Sequence, residues 1–384
     1  MLLNLSRLPL AFLIVVACSA PPLAAQSDTT ESEKFDVDFL LSYYDQDGDH
    51  SAVTGGTGTE ELQVFSPVIV LGWRVNDNWT ISADLGIDQI SSASIGNIQS
   101  GVSGASIPAS DTRTFGTVKA ARNFGNHIVG MQIGAANEFD YGSMSFGLDY
   151  SINLLKGNTT LSGSFRHYDD TVDLYDIDGI NQGEADRTTT DGFVTWSQVL
   201  GRRTVGSAEL FFSAQSGFLS TPFHEVILMN GDRTTERLPD QRDRFAIGLR
   251  LNHSFSPSIV QRVSYRYYDD NWGIAAHSIE LETHFRLSGP REMWVFPILR
   301  YHTQTGADYF GETGTFTGNE DFLTSDWDLA EIATTKIGVG WTVLALPGEE
   351  WMLDLNRFEV RGTFYDRDDG LQGFTTSFAF GWTF

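Results

Sequence analysis

The stretch SMSFGLDYSIN, residues 143–153, alternates between polar and apolar side chains at almost every position. Successive side chains of an extended strand point to opposite faces, so Met144, Phe146 and Leu148 share one face. A helix would require apolar residues every three or four positions, and this stretch does not have that spacing. The pattern predicts a β-strand with one apolar face and one polar face.

The same alternation recurs along most of the chain after residue 35. With the stretch above, it defines sixteen segments: 35–45, 61–75, 79–90, 112–123, 127–138, 142–154, 158–169, 188–200, 204–216, 243–255, 258–269, 273–287, 292–303, 327–342, 350–365 and 371–384. Alternating segments of about ten residues, split by turn residues, are typical of transmembrane β-barrels. The sequence therefore predicts an all-β fold, a transmembrane up-and-down antiparallel β-barrel of about 16 strands.

Short and long connections alternate between these segments. The short ones are 76–78, 125–126, 156–157, 201–203, 256–257, 288–290 and 347–349, and the long ones include 46–60, 91–111, 170–187, 217–242 and 304–326. Bacterial outer-membrane barrels have short periplasmic turns and longer extracellular loops. We expect the same arrangement here, with both chain ends on the periplasmic side.

The first 25 residues have the pattern of a secretory signal peptide. Arg7 precedes an apolar run over 8–16, and small residues end at Ala25, the expected cleavage site. Cleavage at Cys18, as in a lipoprotein, is the alternative. The predicted organisation is therefore a signal peptide over 1–25, a short periplasmic segment over 26–34 and the barrel over 35–384, in the outer membrane of a Gram-negative envelope.

Aromatic residues mark both ends of the predicted strands. Phe378, Phe380, Trp382 and Phe384 share one face of the last segment and resemble the C-terminal signal of outer-membrane barrels. We expect Phe380, Trp382 and Phe384 to be recognised by the barrel-assembly machinery. At the opposite rim, tyrosine or phenylalanine repeatedly precedes aspartate, at residues 43–45, 168–170, 267–270 and 364–366. Rings favour the membrane interface, so these joins are predicted to lie beside lipid headgroups and lipopolysaccharide.

Charge and cysteine content exclude several classes of function. The chain has 25 basic and 50 acidic residues, and a nucleic-acid-binding protein needs a basic face. Cys18 is the only cysteine, so the mature chain would contain no disulfide, cysteine nucleophile or thiolate metal site. No phosphate loop, zinc motif or dinucleotide motif is present, and the acidic run 45–49 does not have EF-hand spacing. No cofactor and no metal is predicted.

The polar faces of the later segments carry many charges, which we expect to line a pore. These residues are Arg244, Arg250, Arg262, Arg266, Glu280, Glu282, Arg286, Lys336, Arg357, Glu359 and Arg361, with Arg300 and His302 as possible additions. An acidic wall is expected opposite them, built from Asp36, Asp38, Asp84 and Asp149 with Lys119 and Arg166. Opposed charged walls orient and select polar solutes.

The first functional hypothesis is a porin-like channel, or a transport or export component, for small polar solutes. The alternative is a non-conducting scaffold whose lumen is filled by salt bridges and which binds a periplasmic or surface partner. An outer-membrane hydrolase is a third class, because His284, Glu282 and Ser278 share a face. Residues two apart on one face lie about 7 Å apart, too far for a catalytic group, so no catalytic residue and no enzyme is predicted.

Most of the mature chain resembles a family of secreted bacterial barrels known as a domain of unknown function. The more specific stretches are GFLSTPF at 217–223 with RLPDQR at 237–242, and SYRYYDDNWG at 264–273. Two shorter stretches, 91–94 and 103–106, also match. The resemblance implies an outer-membrane barrel, and it brings no activity or site residues.

Overall fold

A computed structural model describes residues 35–91, 110–344 and 355–384. The strands are β1 Phe35–Asp47, β2 Leu62–Asn76, β3 Trp79–Ser91, β4 Ser110–Phe124, β5 His127–Asn137, β6 Tyr141–Leu154, β7 Thr159–Tyr175, β8 Asn181–Gly201, β9 Thr204–Gly217, β10 Glu225–Ile227, β11 Arg233–Thr235, β12 Gln241–Ser256, β13 Ile259–Asp270, β14 Ala275–Leu287, β15 Glu292–Gln304, β16 Ile332–Leu344, β17 Arg357–Arg367 and β18 Gln372–Thr383. All except β10 and β11 form one closed antiparallel barrel, in which chain neighbours pair and β18 pairs with β1. The predicted fold class is confirmed.

The alternating pattern separates the outside of the barrel from its lumen. Met144 is 70% exposed and Ile133 is 68% exposed, whereas the intervening parity on these strands is polar or small. Exposed apolar side chains on one parity of every strand form the surface that lipid would cover. The polar parity therefore faces the lumen, which positions the charged side chains discussed below.

Within the described residues, the connections agree with the prediction except at residues 170–187. Tight turns join the strands at one rim, here called the short-turn rim, and the longer loops lie at the other, the long-loop rim. The predicted long loop 170–187 is wrong, because β7 and β8 continue through most of it and only residues 176–180 connect them. Beyond residue 169 the outward positions of β7 are polar, with Thr171 and Asp173, and the apolar Val172 and Leu174 face inward, so the lipid-facing apolar pattern ends there.

Two predicted strands begin later in the structure than in the sequence pattern. The segment predicted from residue 327 opens with a 3-10 turn, Trp327–Leu329, and β16 begins at Ile332. The segment predicted from residue 350 is described only from residue 355, and β17 begins at Arg357. The signal peptide, the 26–34 segment, the 347–349 turn and most of the 91–111 loop lie outside the described residues. No helix within the described ranges is long and apolar enough to cross a membrane.

The barrel closes between β1 and β18. Phe39 lies opposite Phe380 in the register, and the backbones of Phe35 and Phe384 exchange hydrogen bonds of 3.1 and 2.8 Å. The Phe380 ring packs against Phe39 and Phe358, with centroids 6.1 and 5.2 Å apart. The last aromatic residues thus lie on the outer face of the closure seam.

The tyrosines that precede aspartates are divided between the two faces. Tyr43 and Tyr267 point outward, and each donates a hydrogen bond to the aspartate two residues later. Tyr44 and Tyr268 point into the barrel, because adjacent residues of a strand face opposite sides. The prediction that all these rings lie at the lipid interface is therefore wrong for the inward ones, which also include Tyr168 and Tyr365.

We expect Gly231 to be exposed at the cell surface and Gly201 to face the periplasm. Gly231 lies on the long-loop rim and Gly201 on the short-turn rim, and a side chain at either position would meet no atom within 4 Å. A small epitope tag inserted after each glycine should therefore be tolerated. Intact cells should be labelled only through the tag at Gly231, with permeabilised cells as the control. Labelling of intact cells through both tags would contradict this orientation.

Candidate functional site

Three long loops meet over the lumen and form what we call the cap, residues 48–61, 218–240 and 305–331. The first loop joins β1 to β2 and the second joins β9 to β12, which lie on opposite sides of the ring of sixteen strands. The amide of Glu225 nevertheless donates to the carbonyl of Val53 at 2.7 Å. At a strand spacing of about 4.8 Å such a ring is roughly 30 Å across. The loops can meet only by crossing the mouth of the barrel.

The cap has its own hydrophobic core. Val226 and Leu323 are fully buried and pack with Phe316. Trp327 stacks on His50 with centroids 3.7 Å apart and donates through Nε1 to the carbonyl of Gly55 at 2.8 Å. Core packing and hydrogen bonds therefore hold the three loops as one folded unit.

Arginine–aspartate pairs tie the strand ends beneath the cap. Arg242 donates to Asp270 at 2.9 and 2.6 Å, and its guanidinium lies 4.3 Å from the ring centroid of Trp272. Arg187 donates to Asp170 at 3.0 Å. All four charged side chains are buried. Sequence reasoning missed these pairs, although the repeated aspartate at strand ends, with an arginine on the adjoining strand, was a usable signal.

A third buried arginine joins the cap to the wall. Arg367 donates to Asp328 of the cap at 2.6 Å and pairs with Asp369. Glu60 of the cap lies 3.9 Å from the same guanidinium, and burial raises the pKa of Glu60 to about 8. The two aspartates are the closer carboxylate partners of Arg367, and Glu60 is the most distant of the three.

Several predicted pore residues form one network in the lumen. Glu282 lies 3.0 Å from His284, 3.2 Å from Arg361 and 3.6 Å from Arg262. Arg361 also donates to Glu359 at 2.6 Å. β14 and β17 are separated by two strands, so the Glu282–Arg361 contact reaches along the inner surface of the wall. The sequence could not predict this pairing, because it joins strands that are not neighbours.

An aromatic ring supports this network. Phe296 is fully buried, stacks on His284 with centroids 4.2 Å apart and lies 5.0 Å from the Arg361 guanidinium. The ring covers Gly340, where a Cβ would come within 2.2 Å of it. Gly340 thus leaves the space that the Phe296 ring occupies on the lumen face of β15.

The remaining predicted residues divide into paired and unpaired groups. Lys336 lies 3.1 Å from Glu280, Arg357 lies 3.0 Å from Asp38 across β18, and Arg244 donates to Ser213 at 3.2 Å. Within the described part of the chain, no carboxylate lies within ion-pair distance of Arg250, Arg266, Arg286 or Arg300. The wall from β12 to β17 therefore carries positive charge that its three glutamates do not neutralise.

The opposite wall has more carboxylates than predicted, and the two cations predicted beside them pair with one of them. Asp149 lies 2.6 Å from Lys119 and 2.7 Å from Arg166, so two cations neutralise it. Two carboxylates that sequence reasoning did not single out, Asp191 on β8 and Glu209 on β9, also lie on the lumen parity. Polar and apolar residues do not alternate strictly around these two positions. The sequence alone therefore does not show which of the residues there face the lumen, and the strand register is needed to decide.

The hydrolase grouping does not assemble. His284 contacts Glu282, but Ser278 lies 2.7 Å from His302 instead. Six residues along a strand separate Ser278 from His284 by about 20 Å. No cluster of histidine, cysteine and carboxylate side chains suited to a metal ion occurs in the described ranges.

Solved structures of outer-membrane proteins share this fold. A bacterial polysaccharide outer membrane secretin has 9% identity and a TM-score of 0.50, with 92% of this chain and 100% of that chain covered. CdiB from Acinetobacter baumannii also has 9% identity and a TM-score of 0.50, with 93% of this chain and 61% of that chain covered, so the present chain spans less than two thirds of it. The outer membrane protein opdK from Pseudomonas aeruginosa has 7% identity and a TM-score of 0.43, with 92% and 99% covered. At 9% identity the likeness to the secretin and to CdiB concerns the fold alone.

No curated protein matches the chain. A family model does match it, over residues 6–373. The match covers nearly the whole barrel, including the cap and the charged wall. The chain belongs to the family described as "Protein of unknown function (DUF3570)".

Proposed function

We propose that the protein is a gated outer-membrane channel for small anionic solutes, with the charged wall as its selective surface and the cap as its gate. The observation that carries this proposal is the set of water-accessible arginines on one wall. Arg250 and Arg286 are exposed on the lumen parity, and neither has a carboxylate partner among the described residues. Guanidinium groups that face water without a carboxylate attract anions and repel cations.

The cap explains why such a lumen would not be permanently open. It spans the mouth through contacts such as Glu225–Val53 and is held to the wall by Arg367. Loops that lie across a channel mouth are suited to gating, because their contacts can break while the strands stay paired. The acidic surface of the chain concentrates cations outside, so selection for anions would depend on the arginine wall.

Reversal potentials in planar bilayers test the proposal. In a KCl gradient the wild type should be anion-selective, and Arg250→Glu with Arg286→Glu should shift the reversal potential toward cation selectivity. The shift should be larger at low salt, because salt screens the wall. Neither substitution breaks an ion pair among the described residues. Lys156→Glu, at an exposed turn outside the lumen, is the control and should leave selectivity unchanged.

The second candidate function is a non-conducting scaffold that binds a periplasmic or surface partner. The observation in its favour is the same cap, since a mouth that stays covered conducts nothing. If the wild-type protein inserts stably and does not conduct at any voltage that the bilayer withstands, the scaffold function is supported. Stable channels whose reversal potential ignores the Arg250 and Arg286 substitutions would mean that these arginines do not line the pore.

A further inference from the structure

The geometry points to an oxyanion-binding site in the lumen just beneath the cap, formed by Arg266 and Arg300, with Ser278 positioning Arg300, and suited to a carboxylate or a phosphate group. This inference rests on the proposed function and names the ligand class that the charged wall would select. The three side chains lie on β13, β15 and β14, so the middle strand provides the hydroxyl between two guanidinium groups.

Arg266 is held in place but has no polar partner. Its guanidinium lies 5.6 Å from the ring centroid of Phe211, and the residue beside it on β12 is Gly248, over which the Glu209 side chain lies. A guanidinium has five N–H donors, and none of those of Arg266 reaches an acceptor or a carboxylate in the described parts of the chain. Arg266 is half-buried on the lumen parity, and its donors remain available for charge-assisted hydrogen bonds to an oxyanion.

Arg300 approaches the same space from the other side. Its Nη2 donates to Ser278 Oγ at 3.5 Å, its one contact with a polar group of the described residues. Ser278 lies opposite Arg266 in the register, and the charges of Arg266 and Arg300 repel each other. An anion between two like charges removes this repulsion and accepts charge-assisted hydrogen bonds from both.

Two carboxylates near the site do not occupy it. Glu280 lies opposite Arg300 in the register, but its Oε2 is 3.1 Å from Lys336 Nζ. Glu209 attracts Arg266 from β9, on the side away from Arg300, because β12 and β13 lie between β9 and β14. The space between Arg266 and Arg300 therefore stays positive.

Hydrogen bonds connect the site to the cap. Ser278 Oγ lies 2.7 Å from His302 Nδ1, and His302 Nε2 lies 3.4 Å from Gln304 Oε1. Gln304 Nε2 donates to the carbonyls of Asp328 and Ala330 in the cap at 3.0 and 2.9 Å. A solute that passes the cap would meet this site first.

Calorimetric titration of the purified barrel in detergent, at low salt and neutral pH, tests the inference. Inorganic phosphate and succinate are the probes, and the wild type should bind at least one of them with saturation. Arg266→Gln and Arg300→Gln should each weaken binding at least tenfold. Ser278→Ala, which removes no charge, should weaken it a few-fold. Arg166→Gln is the matched control, since that arginine faces the lumen but is paired with Asp149 on the other wall.

The outcomes separate this inference from the proposed function, because calorimetry requires no conduction. Saturable binding lost in both arginine variants and kept in the control supports the site, and the preferred probe shows whether phosphate or carboxylate is the ligand. Binding unchanged in the Arg266 and Arg300 variants, or no saturable binding in the wild type, overturns the site even if the channel is anion-selective. Binding at the site by a protein that never conducts overturns the channel alone.

Discussion

Deleting Phe384 should leave little assembled protein in the outer membrane. The Phe384 backbone exchanges two hydrogen bonds with Phe35, and its ring continues the outer aromatic face of β18. The deletion removes the outermost pair of the closure seam and one residue of the predicted assembly signal. Fractionation and heat-modifiable migration on gels should show a near-complete loss of folded barrel, with the chain degraded or held in the periplasm.

Phe374→Ala is the matched control for this deletion. Phe374 lies on the same face of β18 but near the other rim, and it is similarly exposed. Its loss removes a lipid-facing ring and leaves the seam beside Phe35 intact, so assembly should be nearly normal. Equal amounts of folded protein from the deletion and the control would contradict the role assigned to Phe384.

Replacing residues 222–236 with two glycines should increase single-channel conductance several-fold. The replacement removes β10, β11 and the contact with Val53 that bridges the mouth. The cut ends lie close together, because Ser220 Oγ accepts a hydrogen bond from the Leu238 amide at 2.9 Å. The barrel strands should therefore stay paired while the mouth opens, and planar-bilayer recordings should show larger and less frequently closed channels.

Shortening the β7–β8 hairpin provides the control for the cap replacement. Its tip, residues 176–180, projects from the same rim but contributes no residue to the cap as defined here. Removing the tip should leave conductance unchanged. A cap replacement that folds and conducts no better than the wild type would show that the obstruction lies in the lumen, among the Glu282 and Arg361 contacts.

The barrel could be predicted because its signal is local. Each membrane strand places one apolar parity toward lipid, as Met144, Phe146 and Leu148 do, and this alternation can be read over a few residues. The prediction was wrong where the strands carry no apolar residues toward lipid. Beyond residue 169 the outward positions of β7 and of the start of β8 are polar, so the alternation that predicts a membrane strand stops there.

The site was predicted less completely because its contacts are not local. The alternation of side chains between the two faces of a strand predicts that Arg262 and Glu282 both face the lumen. It cannot tell which of several arginines Glu282 contacts. The structure shows Arg361, three strands away. The cap left even less signal, since its loops have no periodic pattern and Trp327 meets Gly55 across 272 residues of sequence.

The cap also has a consequence for how the finished barrel resists opening. Its first loop is carried by β1 and β2, and residues 305–331 are carried by β15 and β16, so the two lie on either side of the seam where β1 meets β18. The stacked pair His50–Trp327 and the Trp327–Gly55 hydrogen bond join them over that seam. These contacts join residues far apart in the sequence, so we expect them to form late in folding. The cap thus links the strands on both sides of the seam, and we expect it to resist the separation of β1 from β18.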